Sequence, residues 1–62
     1  MDYREAAKRH RHQAEELRVK ADMMRDDATR ASYFKMAEAY DGMAAQEERM
    51  AGNTVVPPKA AE

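Results

Sequence analysis

A chain of 62 residues with 11 Lys and Arg, 12 Asp and Glu and no cysteine has room for one small domain, and it excludes disulfides and thiolate zinc sites as a source of stability. Below roughly 70 to 80 residues a single core rarely supplies more than a few kcal/mol, so association with another chain is expected. The formal net charge of −1 excludes a polyionic tail and names no partner.

Proline is absent before Pro57 and glycine occurs only at Gly42 and Gly52, while Ala, Arg, Lys, Glu and Met, all strong helix formers, dominate the stretch between. Asp2 followed by Glu5 resembles a capping box, which starts a first helix of about residues 2–26. Asp26-Asp27-Ala28-Thr29 is the one cluster that breaks the pattern, because short polar side chains compete for backbone partners. A tight turn is expected there, with Asp27 or a neighbour capping a second helix of about residues 28–51. Gly52-Asn53 reads as its stop. The chain then divides into a helical hairpin, 1–52, and a flexible tail, 53–62, containing Val55-Val56-Pro57-Pro58.

Alanine recurs every seventh residue at Ala7, Ala14, Ala21 and Ala28 and again at Ala37, Ala44 and Ala51. With Tyr3, His10, Leu17 and Met24 on the first helix, and Tyr33, Tyr40 and Glu47 on the second, these residues form two narrow, coiled-coil-like heptad seams. Antiparallel pairing about residue 28 or 29 sets Ala7 against Ala51, Ala14 against Ala44 and Ala21 against Ala37. The same register puts Met24 beside Tyr33, Leu17 beside Tyr40 and His10 beside Glu47. Small residues meeting small ones let helix axes approach closely while large ones fill the alternate layers. His10 and Glu47, the only polar pair on the seams, are expected to form a polar layer that fixes register.

Met36, Met43 and Met50 make a second stripe on helix 2, and with Phe34 they exceed what one helix can cover. They are expected to meet a second hairpin, giving a homodimeric four-helix bundle. The other reading of a flexible methionine stripe is a groove for a helix of another protein.

Arg4, Lys8, Arg11, Arg18 and Arg25 share one face of helix 1 and could contact nucleic-acid phosphates. Glu15 and Asp22 interrupt that face. Spacing offers Glu5–Arg9, Arg11–Glu15, Glu16–Lys20 and Arg18–Asp22 as pairs within the helix, as on a solvated surface. Residues 1–25 carry seven basic and five acidic groups and the remainder four and seven, so the halves attract each other as neighbours. His10 and His12 point about 200° apart on a helix and cannot share an ion within it. No di-iron Glu-x-x-His motif, nucleophilic triad or glycine-rich phosphate loop occurs. Neither catalysis nor a metal or cofactor is therefore expected. With no apolar run near the roughly 20 residues of a membrane span, and no apolar leader core after Met1-Asp2-Tyr3, a cytoplasmic location without membrane contact is expected.

Arg30, Met36-Ala37-Glu38-Ala39-Tyr40-Asp41 and Met43-Ala44, preceded by Ala14, Leu17-Arg18 and Ala21, resemble a group of short, uncharacterised bacterial proteins common in alphaproteobacteria. These share a helical-hairpin pattern with an Ala-x-x-Tyr-Asp-x-x-Ala box, and the resemblance implies the hairpin without an activity. In length and layering the chain is also similar to Rop-type hairpin dimers, which implies RNA binding by the first helices. The function expected overall is a small interaction or regulatory module, with self-association, another helical protein and RNA as partners in that order.

Overall fold

The computed structural model describes residues 2–55. They form two helices, α1 (Tyr3–Met23) and α2 (Asp27–Val55), packed along each other as an antiparallel hairpin, with no strand among the described residues.

α1 begins where the Asp2 carboxylate accepts the backbone N–H groups of Arg4, at 3.1 Å, and Glu5, at 3.3 Å. Two of the four donors that every helix N-terminus leaves unpaired are thereby satisfied. The helix ends three residues earlier than the sequence suggests, at Met23, with Met24 extended (φ −84°, ψ 141°) and its N–H donating to the carbonyl of Ala21. The turn is Met24-Arg25-Asp26. Asp26 rather than Asp27 caps α2, because its carboxylate accepts both the amide N–H of Thr29, at 2.9 Å, and the Thr29 hydroxyl, at 2.8 Å. Those bonds hold the Asp26 carboxyl below its ordinary range, the backbone donor most of all.

α2 does not stop at Gly52. It continues through Asn53 and Thr54 to Val55, since glycine permits a left-handed stop without imposing one, and no described glycine has a positive φ. Val55 is the last residue before the one that Pro57 disfavours in a helix. The tail expected over 53–62 thus loses its first three residues to α2, and its remainder lies outside the described residues.

Packing follows the alanine register. The buried side chains of the described residues are Ala6, Ala7, Ala14 and Ala21 on α1 and Ala37, Ala44 and Ala51 on α2. Tyr3, Leu17, Met24, Tyr33 and Tyr40 are half-buried in the layers between. Ala6, one residue off the seam, is the one buried position that the seam spacing does not include. No large side chain among the described residues is fully buried, and it is large apolar side chains that contribute about 1.5–3 kcal/mol each on full burial. The interior is a zipper of methyl groups.

Candidate interaction surface

The heptad register that builds the seam gives the hairpin two long flanks. On one, Arg4, Arg11 and Arg18 of α1 follow each other every seven residues, as do Phe34, Asp41 and Glu48 of α2, while Arg25, the next in the spacing, falls in the turn beyond the end of α1. There Arg11 donates to Glu48 in bidentate fashion, Nε to Oε2 at 3.1 Å and Nη2 to Oε1 at 2.9 Å, while its Nη1 reaches Asp41 Oδ1 at 3.2 Å. The second oxygen of Asp41 accepts from Arg18 Nη1 at 2.7 Å, and Arg18 Nη2 donates to Glu15 at 2.9 Å. Two arginines and three carboxylates thus form one continuous lattice across the helices. Hydrogen bonds from Arg18 to Asp41 and from Arg11 to Glu48 hold both carboxyls below their ordinary range, while the guanidinium of Arg11 is raised chiefly by Glu48 and that of Arg18 first by Glu15 and then by Asp41.

This lattice replaces the pairs expected within helix 1. Among the described residues Glu5–Arg9, Arg11–Glu15, Glu16–Lys20 and Arg18–Asp22 do not form; Glu15 pairs with Arg18 and Glu16 with His12. The cross-helix partners follow from the hairpin register, since a step of one residue off the seam on each helix turns the His10–Glu47 layer into Arg11–Glu48 and the Leu17–Tyr40 layer into Arg18–Asp41. Of the five cations on the expected nucleic-acid face, Arg11 and Arg18 are therefore engaged by carboxylates. Arg4, Lys8 and Arg25 are exposed and without an ion pair among the described residues. Arg4 and Lys8 border a shallow hollow with Ala7, Arg11 and Glu48.

The opposite flank is apolar. Met36, Met43 and Met50 run along α2 with exposures of 44%, 41% and 41%, at levels that the register matches with Lys20, Gln13 and Ala6 of α1. Gln13, Glu16, Leu17, Lys20 and Tyr40 line a shallow groove on this side. Ala39 and Gln46 extend the stripe between the methionines, in the alternating steps of three and four that a docked helix reads. Phe34 is also exposed, but it precedes Met36 by two residues and so points about 200° away around the helix. It belongs to the arginine flank, leaving Met36, Met43 and Met50 together without it. Val19 and Met23, further exposed apolar side chains, lie on the outer side of α1 with Glu16 and Lys20.

Between the flanks the seam holds its polar layer. His10 Nδ1 lies 2.8 Å from Glu47 Oε1, with both side chains largely covered. The carboxylate accepts, so Nδ1 is the donor. The imidazole also stacks on Tyr40, ring centroids 5.7 Å apart and planes inclined by 24°.

Among the described residues no three His, Asp or Glu side chains gather as a metal site would require. No described helix is long and apolar enough to cross a membrane. What the surface offers is an ionic flank whose central charges are internally matched, and a flank along which Met36, Met43 and Met50 are exposed. Comparison of the chain with protein-family models, with curated proteins and with solved structures finds no match.

Proposed function

We propose that this chain is a small non-catalytic protein–protein interaction module, a helical hairpin whose methionine flank receives a helix from another chain. One observation carries the reading: every fully buried side chain of the described residues is an alanine, while Met36, Met43 and Met50 stay two-fifths exposed in a line. A flexible, polarizable methionine stripe gains most from being covered, and the lone hairpin has little else with which to offset the cost of ordering its chain. Two chains could supply the missing helix. A second copy would complete a homodimeric four-helix bundle, and a helix of another protein would do the same in a groove.

Circular dichroism of the chain alone and at increasing concentration tests the module. A hairpin completed by outside helices is partly unfolded when dilute and gains helicity when helical partners, its own copies included, are supplied. Met43→Lys places a charge in the middle of the stripe and should abolish that gain. A native chain that melts cooperatively and well above room temperature at every concentration, with Met43→Lys melting identically, is complete by itself and is no such module.

A further inference from the structure

Resting on the module reading, we infer that the occupant of the methionine flank is an amphipathic helix with acidic residues along its edges, not a second copy of this chain. The charges around the stripe carry the inference. Arg9 and Lys20 of α1 border it on one side and Lys35 and Arg49 of α2 on the other. All four side chains are exposed, and none has an ion pair among the described residues. The arrangement is regular. The register sets Arg9 level with Arg49 at the open end, and Lys20 near the level of Lys35 toward the turn. At the middle level the heptad equivalents of Arg9, Lys20 and the Lys35–Arg49 pair are Glu16, Gln13 and Gly42, beside Met43.

Against these four cations the same flank presents Glu16, which is bound to His12 Nε2 at 3.1 Å, while the exposed Glu5 and Glu38 lie within one turn of Arg9 and Lys35 without pairing to them among the described residues. On the other flank Arg11 and Arg18 are neutralised by Asp41, Glu48 and Glu15. The chain is nearly neutral overall, so the methionine flank is a local basic collar and does not simply follow the net charge. Two methionine flanks brought face to face would double that collar around one interface, and like charges held together oppose association. A helix with Leu, Ile or Met along one stripe and Glu or Asp on both edges meets apolar surface with apolar surface and each cation with an anion. Lys35 and Arg49 lie 14 residues apart, about 21 Å along the helix, so about four turns of such a partner suffice.

Two synthetic helical peptides of equal length, with the same leucine stripe but with either glutamate or lysine at every edge position, serve as probes. Each is titrated into the full chain by calorimetry, at low and at high salt, and the oligomeric state of the free chain is measured by sedimentation. The Glu-edged peptide should bind at least about tenfold tighter than the Lys-edged one at low salt, and the difference should shrink as salt rises. The double variant Lys35→Glu, Arg49→Glu should invert the preference, whereas Arg4→Glu, Lys8→Glu on the other flank should leave it in place. Equal binding of both peptides, or the same preference in both double variants, overturns the inference. A native dimer that Met43→Lys converts to monomer also overturns it, while leaving the module reading intact. Should neither peptide bind and Met43→Lys leave helicity and oligomeric state untouched, both fall together.

Discussion

His10 is held from two directions, by the Glu47 carboxylate at 2.8 Å and by the face of Tyr40, and it is the only place where the seam is not apolar. A hydrogen bond of this kind contributes on the order of 1 kcal/mol net, but its loss leaves a half-covered polar group without a partner. Glu47→Leu is therefore expected to reduce stability by about 1 kcal/mol, and His10→Leu by no more. The double variant should recover both losses and exceed the native chain, because an apolar layer has no desolvation cost, while its register loosens. Fractions folded measured by circular dichroism in the cold, for the two single variants and the double, give the coupling directly. Single losses that add without coupling would show that the pair stabilises nothing.

At the level of the helix, the alanines convert a periodic sequence into a fixed distance. Ala14 and Ala44 are completely buried and share a layer, so Ala14→Leu must push the helices apart; the expected loss is about 1–3 kcal/mol, read as lower helicity and an earlier melting midpoint. An unchanged midpoint would mean that the axes are not closely packed there. Gly42 is the opposite case, since a Cβ placed on it meets nothing within 4 Å and its backbone is ordinary helix. Gly42→Ala should stabilise the lone chain by about 0.5–1 kcal/mol, and a loss instead would reveal a neighbour pressed against that position. The seven-residue spacing of the alanines was enough to read the hairpin, its register and the His10–Glu47 layer from the sequence, because packing of small residues admits one pairing. The ends were harder. Asp26 and Asp27 are chemically equivalent as caps, and the choice is made by Thr29, whose amide and hydroxyl both reach Asp26. Gly52 and Asn53 allow a helix to stop, but they do not make continuing costly enough to force it.

Across the whole molecule the lattice of Arg11, Arg18, Glu15, Asp41 and Glu48 matches the central charges of one flank, where Arg4 and Lys8 stay open toward one end, and further open cations surround the methionines on the other. The attraction between the two halves was visible as a difference in their charge totals, whereas the individual partners were not, because local helical spacing offers each arginine a nearer carboxylate. The lattice makes the hairpin sensitive to acid in a direction that can be worked out. Asp41 and Glu48 have folded-state pKa values lowered by their arginines, from unfolded values of about 3.9 and 4.3. Their contribution is fully present above those unfolded values and is lost as pH falls through the lowered folded ones. Helicity should thus hold steady from neutral pH to about pH 5 and decline below about pH 4. Asp41→Asn removes the carboxylate shared by Arg11 and Arg18, so it should lower helicity at neutral pH and flatten the acid decline. Some decline must persist, because the Asp26 cap is held below its ordinary range too. High salt should act on the native chain in the same sense as Asp41→Asn, since exposed pairs are screened. An Asp41→Asn variant with native helicity at neutral pH and the native acid profile would show that the lattice is decoration on a hairpin held by its alanines alone.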